Sequence, residues 1–203
     1  MKIGVGVEGP SDLQFWNKLL HKHFRSCRFD VRNMKNRDKL IRETPRLLET
    51  FRNLHYDAGF ILLDLDDEPC VSAVFDMFSN AVREDARTPK PNRFLHVCVA
   101  RKNIESWYLA DEKAINTVIP GCLYTAPVDT SHMGKGKVRE LLVAQMGRGA
   151  GFNEIAFAKD IAPKFDPQRA LHHSPSFAYF WSTIEYHARR PVSRGCVTSA
   201  NSN

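Results

Sequence analysis

Two short runs in this chain stop abruptly at carboxylates. VEGPSD at residues 7–12 places Glu8 and Asp12 after an apolar stretch, and ILLDLDDEP at residues 61–69 places Asp64, Asp66 and Asp67 after another. Carboxylates at i and i+2 of an extended chain lie on the same side, so Asp64 and Asp66 can both reach one cation just past a strand end. A hard divalent ion such as Mg²⁺ takes oxygen ligands and keeps several waters, which suits an open carboxylate cluster. Without a cation, such crowding raises pKa values through mutual repulsion. The other reading of DLDD is a solvated turn whose acids favour the N-terminus of the next helix. A second acidic strand end beside it tips the balance to metal. Glu8, ending a buried run, needs either that metal or a basic partner, and Gly9 beside it permits a tight turn. Asp12 sits in a first helical turn and serves equally well as a ligand or as a partner for the helix dipole.

These acids meet only if their carriers are neighbouring parallel strands, whose carboxyl ends are where open α/β sheets bind ligands. KIGVGV at 2–7 reads as a buried strand. Ser11 to Gln14 fits a capping box, opening a helix that buries Phe15, Trp16, Leu19, Leu20 and Phe24. CRFDVRN at 27–33 alternates as a second, less buried strand. Thr44-Pro45 fits an N-cap and first helical position, predicting a helix over 45–54 with Leu47, Leu48, Phe51 and Leu54 inward. The basic residues around it, with Lys39, Arg42 and Arg46 as candidate phosphate contacts, form either a solvated helix face or a nucleic-acid surface.

AGFILLD at 58–64 has the continuous apolar character of an interior parallel strand. A helix over about 70–85 follows, with Val71, Val74, Phe75 and Phe78 inward, then a proline-rich basic loop at 86–93. RFLHVCVA at 93–100 is a fourth strand that ends at Arg101-Lys102. In NIESWYLAD, residues 103–111, helical spacing puts Ile104, Trp107 and Tyr108 on one stripe with Glu105 at its edge. Residues 119–134 are turn-rich, helices are expected at 136–146, 153–162 and 175–189, and the chain turns small and polar from Pro191. The reading is one α/β domain: a core over 1–118, a helical extension over 119–190 packed on it, and a flexible tail over 191–203.

The composition sets broad limits. With 203 residues, 43% hydrophobic and 26% charged, the chain can bury a core, and a net charge of +6 permits a polyanionic partner without requiring one. Five scattered cysteines without a CxxC give neither a disulfide framework nor a zinc ribbon. No signal peptide or membrane-length apolar run is read, so a cytoplasmic location and no membrane partner are expected. GKGK at 134–137 lacks the spacing of a phosphate-binding P-loop. His172-His173 have no paired metal spacing, and Trp107 and Trp181 read as core rather than as base-stacking platforms.

In order along the chain, EGPSD after the first strand, DxD after the third, E-x-W-x-L-A-D, and KDIAPKFD…SPSFAYF together resemble the TOPRIM fold of small stand-alone TOPRIM-like proteins of unknown function, which are related to OLD-type nucleases. The resemblance implies a mainly parallel sheet and phosphoryl-transfer chemistry on nucleic acid, DNA before RNA, dependent on Mg²⁺ or Mn²⁺. By that likeness Glu8 matches the acid/base glutamate, Asp64 and Asp66 the metal pair, and Asp12 the acidic position of an EGxxD/E variant. Glu105 matches the glutamate of the E-x-W segment, as a ligand or a support. Arg101 and Lys102 would either stabilise transition-state charge or neutralise the neighbouring acids. The expected activity is metal-dependent cleavage of a phosphodiester, and relatives of this kind point to genome defence. The alternative is a non-catalytic TOPRIM-like module that binds metal or nucleotide beside a partner ATPase. ILLDLDD also resembles the DxD of haloacid-dehalogenase-like phosphatases. That family carries the motif after its first strand, however, and Glu68 stands where it has Thr or Val.

Overall fold

The structure, a computed structural model, describes residues 1–84, 94–146 and 151–189, with the backbone alone for 81–84. The proline-rich loop expected at 86–93 and the tail expected from 191 lie outside the described residues. Four strands, β1 (Lys2–Val7), β2 (Arg28–Asn33), β3 (Ala58–Asp64) and β4 (Leu95–Ala100), form one sheet in the order β2-β1-β3-β4. Every pairing is parallel. β1 and β3 are therefore neighbours, and the turn after Val7 and the end of β3 share one edge of the sheet.

Helices cover both faces, as an all-parallel sheet requires. On one side, α2 (Arg37–Asn53) and α3 (Val71–Glu84) pack Leu40, Leu47, Phe51, Val74 and Phe78 against Ile61 and Leu63. On the other, α1 (Pro10–His23) lies on β1 and β2. The later helices join it: α4 (Glu105–Tyr108), α5 (Glu112–Val118), α6 (Lys135–Met146), α7 (Glu154–Ile161), α8 (Pro167–Ala170) and α9 (Pro175–Ala188). Trp16, Trp107, Phe165, Phe177 and Phe180 are fully buried and interlock edge-to-face or stacked, and Trp107 Nε1 donates to Ser176 Oγ at 2.8 Å. One continuous core thus joins residues on either side of position 118.

β1 and α2 approach so closely at Gly4 that an added Cβ would run into the Phe51 ring. Gly4→Ala is therefore expected to destabilise the fold by about 1–3 kcal/mol, the usual cost of overpacking a core. Thermal or urea unfolding reads this directly.

Several boundaries differ from the sequence reading. α1 begins two residues earlier than the Ser11 box predicted: Gly9 is the N-cap, Pro10 the first residue, and Asp12 Oδ2 accepts from the Gly9 N–H at 3.0 Å. Proline suits that position because its missing N–H would have no helical partner there anyway. α2 likewise starts at Arg37, with the Asn36 side chain accepting from Lys39 N at 2.8 Å, and Pro45 lies inside the helix. The adjoining Thr44 Oγ1 donates to the Leu40 carbonyl at 2.6 Å. Leu54 falls just beyond the helix and is exposed, not buried, and so are Val71 and Phe75 on α3, while Val74 and Phe78 turn inward as expected. The irregular stretch 119–134 and the helices α6, α7 and α9 lie within one or two residues of expectation, while the short α5 and α8 were not foreseen.

Candidate metal centre

Glu8 leaves β1, Asp64 closes β3, and Asp66 follows two residues on. One carboxylate oxygen from each lies within 4.8 Å of the other two. Asp66 has φ = 48°, a left-handed conformation that aspartate tolerates better than most side chains. Leu65 N and Asp66 N donate to Ala100 O and Lys102 O, both at 2.9 Å, which extends the β3–β4 pairing beyond the regular strands and fixes the turn. The backbone also holds the first two acids. Asp64 N donates to Glu8 Oε1, and Ile104 N donates to Asp64 Oδ1, each at 2.9 Å. Each carboxylate keeps a second oxygen for another ligand.

Around this trio lies a more deeply buried layer. Asp12, 5% exposed, has one oxygen on the Gly9 N–H. Glu105, expected at the edge of a stripe, is buried: Oε1 meets Lys135 Nζ at 2.8 Å, and Oε2 has no hydrogen-bond partner among the described residues. Lys135 also reaches Glu154 Oε2 at 3.2 Å. Burial would lower the Lys135 pKa, but its hydrogen bond to Glu105 and the charges of Glu105 and Glu154 override that and hold it above the usual lysine range.

The carboxylates carry more charge than this setting can neutralise. Burial pushes Glu8 up to about 7, against the Asp64 N–H that favours its ionised form, with Asp66 adding repulsion. Burial and the nearby Glu105 raise Asp12 to about 8. Asp64 is driven well above the carboxylate range, first by burial, then by Asp12, Glu105 and Glu8. Oxygens bound at 2.0–2.6 Å around one ion lie up to roughly 4–5 Å apart, so the Glu8–Asp64–Asp66 set fits a single hard divalent cation.

The raised pKa of Glu8 has a definite sign in stability. The folded state holds its proton where the unfolded chain has already released it, so stability falls as pH rises from about 4.5 through 7. Glu8→Gln keeps an acceptor for the Asp64 N–H and removes the charge. In EDTA it is expected to be as stable as wild type near pH 4.5 and more stable by about 2 kcal/mol at pH 8. Melting curves across that range check it.

The basic residues marked in the sequence do not line the cleft over these acids. Arg101 reaches Asp129 at 4.0 Å, and Lys102 Nζ donates to the Asp66 carbonyl at 3.1 Å. Arg42 and Arg46 pair with Glu43 on the outer surface of α2, and the Lys39 N–H serves the Asn36 cap. None of the five lines the cleft of about 600 Å³ that holds Glu8, Asp12, Asp64 and Glu105. The cations that do line it are Lys35, Arg37, Lys135 and Arg139. Lys135 and Arg139 stand one turn apart on α6, beside the buried Val138 and Leu142. That four-residue spacing was visible in GKGKVREL, but its helix gives no local sign of facing β1.

Among curated proteins none matches this chain. Among solved structures, the C-terminal region of the Burkholderia pseudomallei OLD protein matches with a TM-score of 0.50 at 13% identity, over 92% of this chain and 96% of that one. At that identity the likeness is one of fold, and it agrees with the TOPRIM-like α/β architecture of the four parallel strands. The family described as "Domain of unknown function (DUF4276)" matches residues 7–185, nearly the whole chain, and the protein belongs to that family.

Proposed function

We propose that this protein is a metal-dependent nuclease that hydrolyses phosphodiester bonds in nucleic acid, DNA before RNA, at the Glu8–Asp64–Asp66 cluster. The observation that carries this reading is the convergence of three carboxylate oxygens within 4.8 Å at the carboxyl edge of a parallel sheet. Glu8, Asp64 and Asp66 would hold Mg²⁺ or Mn²⁺, with Asp12 and Glu105 behind them. Such an ion, when bound, supplies charge neutralisation at the phosphate and a more acidic water. The chain's own part is to fix its carboxylates by backbone N–H groups, so that little reorganisation is needed when charge develops. Glu8 Oε1 is occupied by the Asp64 N–H, so Oε2 is the atom that would bind the ion or, with Asp64 and Asp66 holding the ion, take a proton from an attacking water. Lys135 holds Glu105 in place and adds positive charge at the cleft wall.

The test is purified protein with plasmid and with single-stranded DNA in Mn²⁺, Mg²⁺ or EDTA. Cleavage in either metal and none in EDTA is expected. Metal binding by calorimetry with no cleavage of any nucleic acid would instead favour a non-catalytic module that acts beside a partner such as an ATPase.

A further inference from the structure

The cleft over the acidic cluster has a feature that metal binding does not require. Its two flanks come from opposite faces of the sheet, and each carries a cation with no side-chain partner among the described residues. Lys35, in the β2–α2 connection, is exposed and has no ion pair or side-chain hydrogen bond among the described residues. Its backbone is left-handed at φ = 78°, held by an Asn33 Oδ1 that accepts the Lys35 N–H at 2.6 Å. A lysine in that conformation is strained in a way that glycine or asparagine would not be, and persistent strain of this sort concentrates at ligand clamps. Arg139, on α6 at the other flank, is also exposed and likewise has no ion pair or hydrogen bond among the described residues. The remaining two cations are committed, Arg37 to Glu68 at 3.2 Å and Lys135 to Glu105 and Glu154. Half-buried Phe152 also lines the cleft, its ring centroid 5.4 Å from that of Phe157, and part of it stays open.

A cleft of about 600 Å³ falls in the size range of small-ligand sites and has room for a nucleotide unit. Cations that track a backbone, beside an aromatic on which a base can stack, form the usual site for a single strand. We propose that Lys35 and Arg139 grip the phosphates on either side of the one presented to the acidic cluster, with Phe152 receiving a base, so that the site takes an unpaired strand in preference to a duplex. The proposal deepens the nuclease reading above and rests on it for the position of the scissile phosphate.

The test measures binding separately from cleavage. Fluorescence anisotropy of a labelled single-stranded oligonucleotide is followed in Ca²⁺ at several salt concentrations, for wild type, Lys35→Gly, Arg139→Ala and Phe152→Ala. Each cation variant is expected to bind about tenfold more weakly and to flatten the slope of log affinity against log salt by about 0.7, the value for one lost contact to a single strand. Phe152→Ala is expected to weaken binding about tenfold with the salt slope unchanged. Lys35→Gly should keep or raise the melting temperature, since it relieves the backbone, and Mn²⁺ affinity should be unchanged in all three. A blunt duplex of equal length should compete at least tenfold less well than the single strand. Unchanged affinity and slope in both cation variants overturns the clamp, and equal competition by duplex overturns the single-strand preference. Normal binding without cleavage in any metal would instead strike only the nuclease reading, leaving the clamp standing.

Discussion

Asp64→Asn is expected to lower metal-dependent cleavage at least a thousandfold, a loss of about 4 kcal/mol in transition-state stabilisation, while raising the melting temperature of the metal-free protein. The substitution is nearly isosteric. Its Oδ1 can still accept the Ile104 N–H, so the turn after β3 keeps its anchor. What changes is the second oxygen, which becomes an NH₂ that can neither bind a cation nor carry charge. Cleavage and Mn²⁺ affinity should therefore fall together. The stability gain has a separate origin. Asp64 is buried among Asp12, Glu105 and Glu8, and these neighbours with burial oppose its ionisation. An acid whose folded pKa is raised weakens the fold as pH climbs above the unfolded value, so the gain should be absent near pH 4 and grow toward pH 8. Cleavage kept within tenfold of wild type would remove Asp64 from the mechanism. A melting temperature that falls at pH 8 would show that its charge is matched by something other than a cation. The two readouts are independent, and a merely misfolded variant would move them in the same direction.

How much of this was legible in the sequence follows from the range of each interaction. β1 and β3 were readable because a parallel interior strand is a short unbroken apolar run, and KIGVGV and AGFILLD are such runs to within a residue. The meeting of Glu8 with Asp64 and Asp66 then followed from one assumption, that these strands are neighbours, and the order β2-β1-β3-β4 meets it. Helix starts were less legible because two cap patterns competed at each. Gly9-Pro10 prevailed over Ser11, and Asn36 prevailed over Thr44 because Pro45 is accommodated within a helix that begins two turns before it. The depth of Glu105 was less legible for a different reason. Helical spacing over residues 103–111 puts it only at the edge of a stripe, whereas α4 is a single turn, the chain re-caps at Asp111, and Glu105 is buried. The cations of the cleft were the least legible. Lys135 meets Glu105 across 30 residues of chain, and Lys35 and Arg37 lie in a basic run whose other members do not line the cleft. Local pattern ranks such residues by charge alone, and only packing separates those at the cleft from those at the surface.

The E-x-W-x-L-A-D segment yields the second large expectation, since its two acids have different tasks. Its glutamate, Glu105, belongs to the acidic layer, but its aspartate, Asp111, does not line the cleft. Asp111 is wholly buried and every lone-pair direction is used. Oδ1 accepts from Ala114 N at 3.1 Å, capping α5, and from Arg169 Nε at 2.7 Å, while Oδ2 accepts from Asp166 N at 2.7 Å and Arg169 Nη2 at 2.8 Å. The fork-to-fork geometry with Arg169 ties the start of α5 to α8, so the last third of the chain is held to the preceding helices by charge as well as by its aromatic core. Removing one partner of a buried pair costs more than the pair itself contributes, because donors are left without acceptors. Asp111→Ala is therefore expected to destabilise the protein by about 3 kcal/mol, or roughly 6–12 °C in melting temperature for a chain of this size. Arg169→Ala should cost less than the aspartate, since the guanidinium is about one-third exposed and Asp111 would keep two backbone donors. A double-mutant cycle reads the difference as a coupling energy. In both single variants the folded protein should bind Mn²⁺ as wild type does. A weakened metal affinity with unchanged stability would instead place Asp111 in the functional site, and would mean that the motif is catalytic along its whole length.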